Sequence, residues 1–298
     1  MTLVEVANLV INGLIEGAVI ALPALALTLV MAIARFPNAA SGDMMTLGAY
    51  VAVGVHGALA SAPGGPIVAL ALATAPAVIV CALVSMAAYQ LIFRRLGSAA
   101  MVASLLASIG LAFLIRSLIT LAVGHEQRTF DLPLVRAWNF GGVRLLPNDL
   151  AIAAVALVVL ALVFGWLRFG RSGRLLRAVA DNPDLARLSG IRSHGLMWLL
   201  WALAGTLAGI GGVLLGVKSV VMPELGWELL LPAFAAMILG GIGSPGGAVA
   251  GALLMGVAQE LSVPIVGPTY KIAVAFAVLF VVLLFRPAGL FGRPELVR

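Results

Sequence analysis

Residues 149–167 read DLAIAAVALVVLALVFGWL, and Arg168, Arg171, Arg174 and Arg177 follow directly. These nineteen residues would make a helix of about 28 Å, close to the ~30 Å hydrocarbon core of a bilayer. With its one charge at the first position, the stretch reads as a membrane crossing, and the arginines that close it mark a cytoplasmic end. Working outward, further apolar runs lie at about 8–34, 44–60, 66–93, 99–123, 195–217, 229–243, 248–264 and 270–285. The run at 229–243 is shorter, fifteen residues or about 22 Å, so it is either a short crossing or a re-entrant segment. The expected fold is all-α: a polytopic membrane helical bundle with about 8–9 transmembrane segments and broken or re-entrant helices, one domain over residues 1–298.

Composition agrees. Of the 298 residues 62% are hydrophobic and 10% charged, and the mean hydropathy is +1.15, far from the roughly 25% charged balance of soluble domains. The spans leave no room for a separate catalytic or nucleotide-binding domain. Glu5 precedes the first run and no Lys or Arg occurs before Arg35, so the pattern is not that of a cleavable signal peptide. The single cysteine, Cys81, sits in an apolar run and reads as a small buried side chain.

Orientation follows from the basic residues, sixteen Arg and two Lys, whose excess gives a net charge of +6. In a membrane protein such an excess reports cytoplasmic loops rather than nucleic acid. If odd-numbered runs travel inward, the inside receives twelve: Arg35, Arg94, Arg95, Arg168, Arg171, Arg174, Arg177, Arg187, Arg192, Arg286, Arg293 and Arg298. The outside receives Arg128, Arg136, Arg144, Lys218 and Lys271, and Arg116 stays within the fourth run, where snorkelling to the outer boundary is expected. This arrangement has an outer N-terminus, an inner C-terminus and an odd number of crossings, although eight spans plus a re-entrant hairpin also fit the composition. Glu16 lies in the first run, where an unpaired carboxylate costs at least ~2.5 kcal/mol. It should face the bundle interior, an aqueous cavity or the outer interface.

Two connectors are substantial. The outer one, 124–148, carries His125, Glu126, Arg128, Asp131, Arg136, Trp138 and Arg144, with Gly141-Gly142 between short β-prone stretches, and reads as a small hairpin or lid. The inner one, 168–194, contains a bounded helix. Asn182 can cap it, Pro183 suits its first position, Asp184 complements the N-terminal dipole and Gly190 can end it in a left-handed conformation. With small Ala186 and basic Arg187, about two turns are presented to the cytoplasm. Such a helix either docks into a partner's groove or is an ordinary amphipathic loop helix.

Two polar interruptions stand out. In Arg35-Phe36-Pro37-Asn38-Ala39-Ala40-Ser41-Gly42-Asp43 the proline removes a backbone donor and the glycine permits unusual dihedrals. Gly240 to Gly247 is a comparable break in the other half. Paired breaks point toward a substrate pathway in many transporters, with Asn38, Ser41, Gly42, Asp43, Gly240, Gly241, Gly243 and Ser244 as candidate lining. The competing reading is a pair of tight turns at the membrane surface.

The stretch Ala180 to Ile191 resembles the cytoplasmic coupling segment, related to the EAA loop, of permease subunits in ATP-binding cassette importers. Together with Asn12-Gly13-Leu14, Ala21-Leu22, Leu27-Thr28-Leu29-Val30, Gly48-Ala49-Tyr50, Gly240 to Gly247 and Arg286 to Gly292, it makes the chain similar to the branched-chain amino acid permease family, H-type. That resemblance implies a homologous sister permease, two cytoplasmic ATPases that hydrolyse ATP, an extracytoplasmic solute-binding protein, and a bacterial inner-membrane location. It assigns coupling to Asn182, Pro183, Asp184, Ala186, Arg187 and Gly190, within a segment at 170–194. Many members read Asn-Phe-Ala-His-Gly-Asp where this chain has Asn38 to Asp43, so an aromatic ring and an imidazole are missing and the solute can differ.

The residues themselves agree on one point: no G-x-x-x-x-G-K-[ST] segment is present, so if ATP drives transport another polypeptide must bind it. No H-E-x-x-H or G-x-S-x-G motif occurs; His56, His125 and His194 are far apart in sequence, and His56 reads as a helix-end residue. No metal or catalytic site is therefore expected, which disfavours an intramembrane enzyme. A stand-alone secondary transporter or channel is the remaining alternative, disfavoured because Glu16 and Asp43 lie near run ends rather than at mid-membrane, where ion-coupled carriers place ionisable groups.

Overall fold

The computed structural model describes residues 2–59, 65–96, 101–133, 135–140, 142–191, 193–286 and 288–292. Gly141 of the outer turn, Arg192, Pro287, Arg293 and Arg298 lie outside the described residues. The elements are α1 (Leu3–Ala34), α2 (Ala40–Ala58), α3 (Gly65–Ala88), a π-helical turn (Tyr89–Phe93), α4 (Arg94–Leu96), α5 (Met101–Val123), β1 (Trp138–Phe140), β2 (Val143–Leu145), α6 (Pro147–Phe169), α7 (Arg171–Asp181), α8 (Pro183–Leu188), α9 (Ser193–Lys218), α10 (Leu225–Gly240), α11 (Pro245–Val266), a 3-10 turn (Pro268–Tyr270) and α12 (Lys271–Phe285). Among the described residues, seven helical stretches are long and apolar enough to cross a membrane. The shorter α2 and α10 complete a bundle of nine.

α1 is its axis. It starts earlier than its apolar run because Thr2 and Glu5 form a reciprocal capping box, the Thr2 side chain accepting from the Glu5 N–H at 3.3 Å and the Glu5 carboxylate from the Thr2 N–H at 2.8 Å. Every residue from Gly17 to Val30 is buried. A helix apolar on all sides needs neighbours all round, and α1 packs on α6, α9, α10 and α11.

Glycines set how close those neighbours come. Gly13 and Gly17 lie against Gly256 and Ala252 of α11, and Gly205 and Gly209 of α9 lie against Cys81, Ser85 and Ala77 of α3. A Cβ at Gly205 would sit 2.4 Å from the Cys81 carbonyl oxygen. Lipid tails are as apolar as leucine, so helices gain little by leaving them. Close small-residue packing supplies the association instead.

These contacts fix helix directions. Gly13 meets Val257 while Gly17 meets Leu253, so α1 and α11 are antiparallel; α3 and α9 are antiparallel by the same test. A side chain at Gly243 would meet Ala32, in the last turn of α1, at 3.9 Å. The turn between α10 and α11 therefore reaches the inner end of the bundle. The run expected at 229–243 is a helix that begins at Leu225 and ends at Gly240, shorter than the seven stretches long enough to cross.

Two further expectations are corrected. The first interruption is confined to residues 35–39: α1 ends with Arg35 in the left-handed region at φ 59°, and α2 already begins at Ala40. Ser41, Gly42 and Asp43 belong to its first turn. Arg116 does not snorkel, because it is paired within the protein, as described below. The outer connector does form the expected hairpin, with Trp138 opposite Leu145 and Asn139 opposite Arg144. It is pinned to α1, where Asn8 accepts from the Arg144 N–H at 2.9 Å.

A Gly205→Val substitution should destabilise the bundle by about 1–3 kcal/mol through overpacking. Gly110→Val, where nothing lies within 4 Å, should not. Thermal unfolding of the two variants in detergent checks the contrast; equal melting temperatures would contradict close packing at the α3–α9 seam.

Candidate functional site

The connector at 168–194, expected on the cytoplasmic side, is built as two helices rather than one. α7 turns back from α6 at Gly170 and lays Leu176 and Val179 into the bundle. Gly173 lets it approach, since a Cβ there would sit 2.5 Å from the Trp166 carbonyl oxygen. Arg174 donates to the Phe169 carbonyl at 2.7 Å and Arg177 to that of Arg168 at 3.3 Å. These cations close the carbonyl end of α6, where the helix dipole favours them. The sequence reading missed α7, although the Leu176–Val179 spacing with arginines on the other faces was its signal.

α8 has the caps its sequence requires. The Asn182 side chain accepts from the Asp184 and Leu185 N–H groups at 3.1 and 2.9 Å, and Pro183 occupies the first helical position. Gly190 stands at φ 78°, its N–H donating to Arg187 while that of Ile191 reaches Ala186, both at 3.0 Å. This pair of bonds is a Schellman stop. Ala186 is buried and anchors the helix; Asp184 and Arg187, 3.8 Å apart, are exposed. The sequence reading did not single out Leu185 and Leu188, which are 61% and 86% exposed. Two bare leucines on a capped helix outside the apolar bundle form a knob without a hole.

The predicted pathway residues are mostly sealed inside the chain. Asn38 is buried and its side chain accepts from the Ala40 N–H at 3.2 Å; the Ala39 N–H donates to Ser108 at 3.1 Å. Ser41 is buried, and Gly42 packs on Gly226 of α10. Asp43 is fully buried and receives two bonds from Arg116, Nε to Oδ1 at 2.8 Å and Nη2 to Oδ2 at 3.2 Å. Rings of Phe113 and Trp227 lie 5.6 and 5.2 Å from the guanidinium carbon. In such a pair each charge relies on the other, and removing one partner costs about 3–5 kcal/mol.

The second break is at the opposite end of α10. Gly240 packs on Gly247, and Ser244 caps α11 by accepting from the Gly247 N–H at 3.2 Å. The C-terminal segment covers Gly240 and Gly241, with Leu290 donating to the Leu239 carbonyl at 2.8 Å and Phe291 to that of Gly240 at 3.1 Å. Gly241 and Gly289 both have positive φ, 103° and 79°, and touch. Of the eight predicted residues, Gly243 is exposed and Ser244 half-buried; the other six are buried. α10 joins the two breaks, but they do not meet.

Two more clusters flank these. At the outer end, Glu16 is paired with Lys218 at 3.1 Å and lies 4.0 Å from Lys271, which also holds Glu260. With Asn12, Arg144 and Asp149 they line an open depression of about 450 Å³. At the inner end, Trp201 stacks on Phe93 at 4.6 Å and Tyr89 at 5.9 Å, and Phe36 stacks on Phe93 at 4.9 Å. This stack ties the 35–39 break to the start of α9, just beyond the α8 knob. No group of three or more His, Cys, Asp or Glu residues arranged to hold a metal occurs among the described residues.

A family model described as the permease component of branched-chain amino acid transport systems matches residues 9–283. The permease protein BraD of Pseudomonas aeruginosa, of a high-affinity branched-chain amino acid transport system, is 41% identical over 145 residues, 47% of each chain. LivH of Escherichia coli K12, of the same description, is 41% identical over 140 residues, 47% of this chain and 45% of its own. A nucleoside ABC transporter permease, NupB of Lactococcus lactis, is 34% identical over 113 residues, 37% of this chain and 30% of its own. The chain thus aligns with about half the length of the first two relatives. Because the family model spans the helices from α1 to α12, the chain belongs to the permease-component family of branched-chain amino acid transport systems.

Proposed function

We propose that the chain is a permease subunit of an ATP-binding cassette importer in the bacterial inner membrane. It forms half of the translocation pathway for branched-chain amino acids or a related small solute, beside a homologous sister permease. Two cytoplasmic ATPases hydrolyse the ATP, and an extracytoplasmic binding protein delivers the solute to the gap between permeases. The observation that carries this reading is α8: a rigid, doubly capped helix held by Ala186 and presenting Leu185 and Leu188 beyond the bundle. The chain has no phosphate-cradling loop of its own, so a knob of this kind is where externally supplied work would enter.

A route for that work supports the reading. α8 connects through Ile191 to α9, Trp201 of α9 is stacked on Phe93 and Tyr89, and Phe36 carries the stack to the break between α1 and α2. Packed aromatic rings resist compression, so displacement of α8 shifts α9 and the break together. On this account the two interruptions act as hinge and seal at either end of α10, and Gly243 with Ser244 is the part of the second break available to the gap. The names of the relatives include a nucleoside permease as well as branched-chain amino acid permeases. With the aromatic ring and imidazole missing at Ala39 and Ser41, a differently polar solute fits as a second reading of specificity.

Replacing Leu185 and Leu188 together by Asp should reduce the ATPase co-purifying with the permease by about tenfold or more. Replacing Asp184 and Arg187 should weaken retention too. Undiminished retention in the leucine variant would contradict the coupling role. Gly243 stands at φ 83°, so Gly243→Ala isolates backbone strain and Gly243→Trp adds bulk; the tryptophan should impair transport more than folding, as read by solute uptake against folded yield.

A further inference from the structure

α10 carries an exposed stripe whose composition is wrong for lipid. Along the helix Leu225, Gly226, Leu229, Leu230, Pro232 and Ala233 are buried, whereas Glu224, Glu228 and Leu231 are exposed and Trp227 half-exposed. The spacing i, i+3, i+4, i+7 places these four on one face. Gly226 donates to the Thr46 hydroxyl at 2.9 Å and packs on Gly42, so the buried side of α10 is seated on α2 and the stripe faces away from it. Two carboxylates on one face turned to hydrocarbon would be strongly disfavoured. This face therefore meets water or polar protein.

Arg116 stands beside it. Trp227, a member of the stripe, covers one face of the guanidinium. Asp43 uses Nε and one Nη2 hydrogen. Nη1 and the second Nη2 hydrogen make no hydrogen bond among the described residues, and the side chain is 18% exposed. Held by a fully buried carboxylate and by two rings, the guanidinium offers a fixed, unused edge shaped for a second carboxylate.

We propose that the stripe Glu224, Trp227, Glu228 and Leu231, with the unused edge of Arg116, is this chain's wall of the solute-binding site. It takes a zwitterionic amino acid with an apolar side chain. The ammonium group goes to the two glutamates, the carboxylate to Arg116, and the side chain lies against Trp227 and Leu231. The proposal rests on the importer reading above and names the residues that recognise its solute. The outer entrance is consistent with it, because Arg128 of the outer connector pairs with Val221, three residues before the stripe begins.

The test uses the complete reconstituted complex with L-leucine as probe. Glu228→Gln combined with Glu224→Gln should lower leucine uptake by about tenfold or more, while ATP hydrolysis stimulated by the binding protein persists. Uptake within about twofold of the parent would overturn the proposal. Accessibility is read separately on Glu228→Cys, the native Cys81 being fully buried, with Leu162→Cys on the exposed apolar face of α6 as reference. A membrane-impermeant thiol reagent should label position 228, not 162, and leucine should slow the labelling. No labelling at 228, or labelling that leucine leaves unchanged while uptake is intact, would overturn it. If the parent complex imports no leucine, the importer reading for this solute fails instead, and labelling at 228 still decides whether the stripe faces water.

Discussion

Inside a bilayer no water is at hand to satisfy a polar group, and that one constraint organises this chain. Backbone groups are satisfied within helices. Charges are satisfied by other charges, as in Asp43 with Arg116 and the cluster of Glu16, Lys218, Glu260 and Lys271. Where a helix stops, another segment supplies the missing partners: Ser108 accepts from the Ala39 N–H, and the C-terminal segment donates to the carbonyls at the end of α10. Helix association then falls to close contact between glycines, because apolar surface gains little by leaving lipid. Among the described residues the buried Tyr50 hydroxyl and Trp201 indole N–H are left without a hydrogen-bond partner, while the surfaces given functional roles, the leucines of α8 and the carboxylates of α10, are exposed.

The molecule separates rigid parts from parts that can move. α1, wrapped on all sides and locked to α11 by Gly13, Gly17 and Gly256, is the fixed axis. The 35–39 break and the α10–α11 turn are short non-helical segments with positive-φ residues at Arg35, Gly241 and Gly243, the kind of element end that absorbs a change in dihedral angle. Between them the aromatic stack at Trp201 is dense and stiff. A push at α8 is therefore expected to travel through α9 rather than dissipate in α7.

Much of this was legible in the sequence, for physical reasons. A charge-poor run of about 20 residues has few fates other than a crossing, and the caps of α8 are local signals, Asn182 acting on the N–H groups of Asp184 and Leu185 and Gly190 bonding back to Arg187. The outer hairpin was legible from its turn. What was hidden depends on residues distant along the chain. Asp43 and Arg116 are separated by 73 positions, so each looked like an isolated charge and was assigned to a surface or a path. The stretch Ala40 to Gly42 is small and polar, which reads as a loop. It is helical because Gly42 must nest against Gly226, a tertiary requirement that outweighs local preference. Glu228 escaped notice because it stands just before the run that began at 229, and a run is defined by what it lacks.

The central claim is that the chain is a conduit moved from outside itself, through α8. The most direct measurement is solute accumulation in sealed vesicles containing the purified chain without ATPase partners, compared with vesicles containing the assembled complex and internal ATP. The account predicts no accumulation above the external concentration by the chain alone and concentrative uptake by the complex. Uphill accumulation by the isolated chain, driven by an ion gradient, would contradict it.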